Sequence, residues 1–268
     1  MIGIFDSGLG GLTILKSILE KLPNYNYIYL GDNARAPYGN KSQEAIYSYT
    51  KEAVDFLFSQ GCKLIIIACN SASAEALRKI QQEYLPAKHP DKRVLGVIRP
   101  LVEATVKIPK ITRVGVIGTK ATVNSETYKI ELHKLNSNLQ VYQQTASLLV
   151  PLIEEGWLKK PETKMILKKY LHSLKLKQVQ ILIPACTHYP FLLKDIQRIM
   201  TSRCKVLNQG EIITHSLVNY LKRHSELNIQ PSTDPRLEFY TTDDIVKFRE
   251  IGEEFLGRKI KKIERVQL

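Results

Sequence analysis

Two of the four cysteines end apolar segments of the same kind. Cys69 ends the run LIIIAC at 64–69, and Cys186 ends the run ILIPAC at 181–186. Both runs are too short to span a membrane, and polar or helix-forming residues follow each of them, which is typical of a buried strand that leads into a helix. The sequence therefore predicts two thiols at the carboxyl ends of two buried strands.

Two thiols on opposite sides of a small molecule could invert a carbon centre. One base removes an acidic proton from one face of the carbon, and a conjugate acid returns a proton to the other face. A free thiol has a pKa of about 8.5 that a helix amino-terminus or a cation lowers, so it can serve as acid or base near neutral pH. Asp6, after the first apolar run, and His188, two residues beyond Cys186, could assist proton transfer.

Each of these residues taken alone has a simpler interpretation. A cysteine after an apolar strand is more often a small buried apolar residue, and a lone histidine is more often structural. Cys62 and Cys204 have no polar cluster beside them, and we predict that they are structural. The glycine-rich turn at 8–11 lacks the residue order of nucleotide-binding loops, so no nucleotide is inferred. The occurrence of two matching cysteine segments in one chain favours a catalytic role for Cys69 and Cys186.

Strand and helix patterns alternate along the chain, which predicts an α/β fold with mainly parallel sheets. The segments 2–7 and 114–119 have the same form, an apolar strand with one glycine followed by small polar residues. Their glycines precede Cys69 and Cys186 by nearly equal distances, which indicates a duplicated unit. We therefore expect two similar α/β domains related by a pseudo-two-fold axis, with the active site at their interface.

The expected domain boundaries follow from this repeat. The first domain is discontinuous and comprises residues 1–97 and 208–268, and the second comprises residues 98–207. Within them, the patterns predict a helix over 71–84 followed by a surface connection, a strand over 94–98 that Arg99 and Pro100 end, and one helix over 125–136.

The bulk composition excludes several classes of protein. The chain has 268 residues, of which 44% are hydrophobic and 24% charged, as expected for a globular protein. No run reaches membrane-spanning length and no leader is recognisable, so a cytoplasmic protein without a membrane partner is expected. The cysteines form neither a disulfide framework nor a metal-ligand spacing, and no metal is expected. The net charge of +13 is spread along the chain, which favours a solvated basic surface over a nucleic-acid partner.

Seven motifs together resemble the glutamate racemase family, and they occur in the order of that family over nearly the whole chain. They are DSGLGGLT (6–13), GDNARAPYG (31–39), ACNSASA (68–74), GVI with a following proline (96–100), PLIEEG (151–156), ACTHYPFLL (185–193) and FYTTDD (239–244). The resemblance implies a cofactor-independent enzyme that interconverts L- and D-glutamate and supplies D-glutamate for peptidoglycan. It also implies two α/β domains and a homodimer.

The resemblance also assigns roles to individual residues. Cys69 matches the acid/base that acts on D-glutamate, Cys186 matches the one that acts on L-glutamate, and Asp6, His188 and Glu154 match assisting residues. The substrate contacts that the family pattern implies are Asp6, Ser7, Tyr38, Gly39, Asn70, Ser71, Thr119, Thr122, Thr187 and His188.

Five residues depart from the pattern. Ser71 stands where threonine is usual and Ala185 where glycine is usual, Asn208-Gln209 replaces a more familiar Asp-Ser pair, and Arg99 occupies a position that is often acidic or apolar. Two alternatives remain open: a related enzyme that racemises aspartate or another amino acid or acts as a decarboxylase, and a nucleic-acid-associated or regulatory protein with a vestigial pocket.

Overall fold

The computed structural model describes residues 1–268 and contains ten strands and thirteen helices. The strands are β1 (Ile2–Asp6), β2 (Tyr27–Gly31), β3 (Leu64–Ile67), β4 (Arg93–Gly96), β5 (Arg113–Gly118), β6 (Gln140–Thr145), β7 (Ile181–Ala185), β8 (Lys205–Val206), β9 (Leu237–Thr241) and β10 (Glu264–Arg265). The helices are α1 (Leu12–Lys21), α2 (Gln43–Ser59), α3 (Asn70–Glu75), α4 (Leu77–Lys79), α5 (Leu85–Lys88), α6 (Ile98–Val106), α7 (Lys120–Asn124), α8 (Thr127–Leu135), α9 (Leu149–Glu154), α10 (Pro161–Leu176), α11 (Leu193–Met200), α12 (Gln209–Arg223) and α13 (Ile245–Leu256).

The strands form two parallel sheets. The larger sheet has the order β10-β9-β2-β1-β3-β4, and the smaller sheet has the order β6-β5-β7-β8. All pairings are parallel. Most of the central strand residues are buried apolar side chains, as parallel sheets covered by helices on both faces require. This arrangement confirms the predicted α/β class.

The two sheets repeat the same strand order. In the larger sheet β1 lies between β2 and β3, and in the smaller sheet β5 lies between β6 and β7, with β4 and β8 in matching outer positions. Gly3 and Gly115 lie in the central strand of each sheet, paired with residues of both neighbouring strands. The thiol-bearing segments therefore follow equivalent strands, β3 and β7.

The apolar core runs from one sheet to the other. We call each sheet with the helices that cover it a unit, larger or smaller after its sheet. A cluster of 36 buried residues includes Ile4 and Leu12 from the larger unit and Leu182 and Leu192 from the smaller unit. Helix α12 packs against α1 and also against α6. Residues 237–265 return to the larger sheet through β9, which pairs with β2. The boundaries 1–97 with 208–268 and 98–207 stay a prediction.

Three sequence-based element boundaries are wrong. The strand expected over 94–98 ends at Gly96, and α6 begins at Ile98 with Pro100 in its first turn, where a missing N–H breaks no helical bond. The helix expected over 71–84 continues through a π-turn (Ile80–Tyr84) to Lys88, because Pro86 again lies in the first turn of a helical segment. The helix expected over 125–136 is present as α8 but begins two residues later, at Thr127, because Glu126 has a left-handed backbone with φ +55°.

None of the helices combines the length and the apolar character that crossing a membrane requires.

Candidate active site

The carboxyl ends of the central strands carry most of the predicted site residues. Asp6 ends β1, Cys69 lies two residues beyond β3, Thr119 follows β5, and Cys186 follows β7. Both cysteines line one cavity, although they come from different sheets, and Cys69 is 6% and Cys186 5% exposed. The cavity has a volume of about 30 Å³. Its lining residues are Ser7, Gly8, Ala36, Pro37, Tyr38, Gly39, Cys69, Asn70, Ser71, Thr119, Val150, Glu154, Cys186, Thr187 and His188.

The thiol of Cys69 has two neutral hydrogen-bond partners. Its Sγ donates to Ser7 Oγ at 3.3 Å and accepts from the backbone N–H of Ala72, in the first turn of α3, at 3.5 Å. Burial, and then the negative charge of Asp6, raise the pKa of Cys69 to about 12. The Cys69 thiol therefore holds its proton at neutral pH.

The thiol of Cys186 lies beside a paired histidine. His188 Nδ1 is 3.8 Å from Cys186 Sγ, and His188 Nε2 is 2.9 Å from Glu154 Oε1. Burial acts to lower the pKa of His188, but the hydrogen bonds and charges of Cys186 and Glu154 outweigh it and raise this pKa to about 10. Burial acts to raise the pKa of Glu154, and His188 lowers it on balance. The imidazole thus places a positive charge beside the Cys186 sulfur.

Asp6 connects the turns that follow β1 and β7. Its carboxylate accepts from the backbone N–H of Gly8 at 3.0 Å and from Thr187 Oγ1 at 3.3 Å. Thr13 Oγ1, in α1, donates to the backbone oxygen of Thr187 at 2.9 Å. Asp6 is 1% exposed and lies outside the cavity lining, and burial raises its pKa. Its contact with the cavity is therefore made through Gly8 and Thr187.

Three hydroxyl groups form a cluster between the two sheets. Ser71 Oγ lies 2.8 Å from Thr119 Oγ1 and 3.4 Å from Thr122 Oγ1, and the two threonine hydroxyls are 3.0 Å apart. Ser71 and Thr119 line the cavity, whereas Thr122 is buried behind them. Thr122 can therefore orient the other two hydroxyls.

The loop after β2 closes another side of the cavity. The Tyr38 hydroxyl donates to Asp32, whose carboxylate also accepts from Arg35 Nε at 2.7 Å and Thr242 Oγ1 at 2.8 Å. A Cβ atom at Gly39 would lie 2.6 Å from Thr119 Cβ, so only glycine permits this loop to approach the smaller unit so closely.

The side-chain amide of Asn70 is held from two directions. Tyr128 donates to its Oδ1 at 2.6 Å, and its Nδ2 donates to Gln209 Oε1 at 3.3 Å. Asn70 lies in the ACNSASA motif, and Gln209 is one of the departures from the family pattern. No sequence pattern indicated Tyr128.

The cavity lining contains no lysine or arginine. A substrate carboxylate would therefore meet neutral hydroxyl and amide donors, backbone N–H groups and the charged ring of His188. No group of three His, Cys, Asp or Glu side chains is arranged to hold a metal ion. Cys62 and Cys204 are buried away from the lining, and burial raises the pKa of each to about 12.

The structure places eleven of the predicted residues on the cavity and two, Asp6 and Thr122, directly behind it. Sequence reasoning missed four lining residues. Gly8, Ala36 and Pro37 lie inside family motifs, which could have indicated that they line the site. Val150 lies just before the PLIEEG motif, and no sequence pattern indicated it. A larger cavity of about 980 Å³ includes none of the predicted site residues.

The family model for Asp/Glu/Hydantoin racemase matches residues 2–214. A glutamate racemase of Syntrophus aciditrophicus is 38% identical over 267 residues, which cover 100% of this chain and 96% of the relative. The crystal structure of the Francisella tularensis glutamate racemase in complex with D-glutamate has a TM-score of 0.90 and 39% identity, and the match covers 99% of this chain and 97% of that one. A glutamate racemase isoform of Bacillus anthracis has a TM-score of 0.93 and 32% identity, with 100% and 97% coverage. With these full-length matches and the paired thiols at one cavity, the chain belongs to the Asp/Glu/Hydantoin racemase family, among the glutamate racemases.

Proposed function

We propose that this racemase interconverts L- and D-glutamate by direct proton transfer between Cys69, Cys186 and the substrate, without a cofactor. The observation that carries the proposal is the placement of both thiols on one cavity that has no lysine or arginine in its lining. The resemblance to glutamate racemases supplies the substrate, because a relative is named for glutamate and another was crystallised with D-glutamate.

The proposed reaction transfers one proton to the protein and one from it. From L-glutamate, the Cys186 thiolate takes the α-proton, and the C–H electron pair stays on the carbon as a carbanion. The Cys69 thiol then gives its proton to the opposite face, which forms D-glutamate and leaves Cys69 as thiolate and Cys186 as thiol. Proton exchange with solvent restores the starting state, and the reaction from D-glutamate runs through the same steps in reverse.

The surrounding side chains have supporting roles in this proposal. His188, paired with Glu154, stabilises charge at Cys186, and Asp6 orients the turn that carries Thr187. Ser7, Tyr38, Gly39, Asn70, Ser71 and Thr119 hold the substrate, with Thr122 behind the last two, and Thr187 and His188 complete the contacts.

Incubation in heavy water tests the proposal. Purified protein with L-glutamate should lose the α-proton signal and the optical rotation together, and it should act far more slowly on L-aspartate under the same conditions. Loss of rotation with aspartate but not with glutamate would assign the protein to a different substrate. Formation of a decarboxylated product from either amino acid would contradict racemisation.

We further propose that the protein acts in the cytoplasm as a homodimer and supplies D-glutamate for peptidoglycan. The support is the likeness to glutamate racemases over the full chain. Expression in a bacterium that requires external D-glutamate should remove that requirement, and light scattering in solution should give twice the mass of the chain. Continued need for D-glutamate with active protein present would contradict the cellular role.

A further inference from the structure

Gln209 is a buried amide between the two thiol-bearing segments. It is 1% exposed and begins α12, the helix that packs against both α1 and α6. Its side chain does not line the cavity. Helix α12 follows β8 of the smaller sheet and precedes β9 of the larger sheet. Gln209 therefore lies where the chain returns from the smaller sheet to the larger one, within reach of residues from both.

Its two amide atoms bond to the two thiol segments. Gln209 Nε2 donates to the backbone oxygen of Cys186, and Gln209 Oε1 accepts from Asn70 Nδ2 at 3.3 Å. Asn70 directly follows Cys69, and its Oδ1 accepts from the Tyr128 hydroxyl at 2.6 Å. A continuous chain of hydrogen bonds thus runs from Tyr128 through Asn70 and Gln209 to Cys186, and all four residues are buried.

The direction of every hydrogen bond in this series follows from its final acceptor, the backbone oxygen of Cys186. A backbone oxygen can only accept, so the amide of Gln209 must present its NH₂ group to Cys186 and its oxygen to Asn70. Asn70 must then present its NH₂ group to Gln209 and its oxygen to Tyr128, whose hydroxyl donates. Only one orientation of each amide satisfies the chain, and the second Nδ2 hydrogen of Asn70 remains free for a ligand in the cavity.

We propose that Gln209 is a positioning residue that fixes the two thiols relative to each other and sets the amide of Asn70 toward the substrate. This inference rests on the proposed glutamate racemisation. Proton transfer between a thiol and a substrate carbon depends steeply on their separation and alignment, because reacting atoms must be held near van der Waals contact. Gln209 connects the carboxyl ends of β3 and β7 with a single side chain, so it sets this geometry without touching substrate.

The replacement Gln209→Met tests the link, because methionine keeps the length and apolar volume but removes both hydrogen bonds. We expect kcat to fall on the order of 10- to 100-fold in both directions, as for a small misplacement of reacting groups. The matched control is Gln197→Met. Gln197 also holds three backbone groups, of Thr201, Cys204 and Val206, but it lies outside the cavity lining.

The control separates positioning from stability. If Gln209→Met loses stability to a similar extent as Gln197→Met but only the former loses kcat, the positioning role is supported. Equal losses of kcat in the two variants, or a kcat of Gln209→Met within twofold of the wild type, would overturn it.

The replacement Gln209→Glu gives a second readout, which a structural role alone would not produce, and it keeps the inference testable if Gln209→Met does not fold. A protonated carboxyl group has one donor and one acceptor in the places of the amide, whereas a carboxylate has two acceptors and opposes the Cys186 oxygen. The ratio of the variant kcat to the wild-type kcat should therefore rise as pH falls. A ratio that is independent of pH would contradict the proposal.

A double variant tests whether Tyr128 belongs to the same series of hydrogen bonds as Gln209. If Tyr128→Phe and Gln209→Met disturb one chain of bonds, the loss of kcat in the double variant is smaller than the product of the two single losses. A loss equal to that product would show independent effects and overturn the proposed link. Wild-type protein that does not racemise glutamate would instead refute the proposed function, so the two failures are distinguishable.

Discussion

The two thiols differ in the charges that surround them. Cys69 has a pKa raised to about 12 by burial and by Asp6, whereas the protonated ring of His188 lies 3.8 Å from Cys186 Sγ. On the proposed mechanism, a protonated Cys69 is ready to donate and not to abstract. This protonation state is set to accept L-glutamate, and the direction from D-glutamate requires the proton of Cys69 to leave first.

Single replacements of the thiols should separate the two directions. Cys69→Ser and Cys186→Ser should each abolish racemisation, because a hydroxyl is a far weaker acid than a thiol. In heavy water, Cys69→Ser should still exchange the α-hydrogen of L-glutamate but not of D-glutamate, and Cys186→Ser should do the opposite. Proton NMR of the α-position measures both exchanges.

The control for these variants is Cys204→Ser, which alters a buried thiol outside the cavity and should racemise glutamate at nearly the wild-type rate. Equal residual exchange of both enantiomers in either site variant would exclude the two-thiol mechanism.

The His188 pair should make stability depend on pH. The pKa of His188 is raised from 6.5 to about 10 in the folded protein, so its contribution to stability is complete below pH 6.5 and is lost as pH rises to about 10. The free energy of unfolding in urea, relative to that of His188→Asn, should therefore decline across this range.

Glu154→Gln provides the comparison, since it removes one of the groups that raise the pKa of His188. It should make the decline smaller and shift it to lower pH. A wild-type protein whose advantage over His188→Asn is the same at pH 6 and pH 10 would show that the histidine is not held protonated.

At the scale of elements, the turn between β1 and α1 packs directly on the turn after β7. A Cβ atom at Gly10 would lie 2.2 Å from Thr187 Oγ1 and 2.6 Å from His188 Nδ1. This contact joins the turn that carries Asp6 and Ser7 to the one that carries Cys186, so neither turn can move far without the other.

Gly10→Ala should therefore separate the turns. We expect a loss of about 1–3 kcal/mol in the free energy of unfolding, typical of an inserted methyl group in a packed site, together with a large loss of activity. Gly8→Ala is the matched variant for stability, because a Cβ atom at Gly8 would lie 3.8 Å from its nearest neighbours. Its free energy of unfolding should be within about 0.5 kcal/mol of the wild-type value. Equal stability of the two variants in chemical denaturation would contradict the close packing.

At the scale of the whole molecule, the cavity is narrow. Its volume of about 30 Å³ holds roughly two water molecules, since one water needs about 10–15 Å³. Glutamate is larger than two water molecules, so we expect the two sheets and their helices to move apart when it binds. Contacts between the units that would have to open include Ser71 with Thr119 and Arg78 with Glu131.

Opening should limit the rate of binding. Trp157 is the single tryptophan, is 43% exposed and lies three residues after Glu154, so its fluorescence can report binding. In stopped-flow mixing, the observed rate should reach a plateau as the glutamate concentration rises, because a conformational step does not depend on ligand. A rate that rises linearly at all concentrations would mean that the free protein is already open.

The α/β class and the repeat could be predicted because their signals are local. Apolar runs that end in Cys69 and Cys186, with turns and helical patterns after them, place both thiols at strand ends without knowledge of any contact. The helix boundaries near Pro86 and Pro100 were wrong because proline ends a helix in its interior but not in its first turn, and the sequence does not say in which turn it lies.

By itself, the sequence determined that two thiols would follow equivalent buried strands of an α/β protein, because apolar periodicity and strand-end chemistry are properties of short segments. Only the tertiary structure decided that His188 pairs with Glu154, that Asp6 and Thr122 stand behind the cavity, and that the cavity is narrow. The link from Tyr128 to Cys186 through Gln209 likewise joins side chains far apart along the chain. Such contacts depend on how distant segments pack together, and no local pattern records that packing.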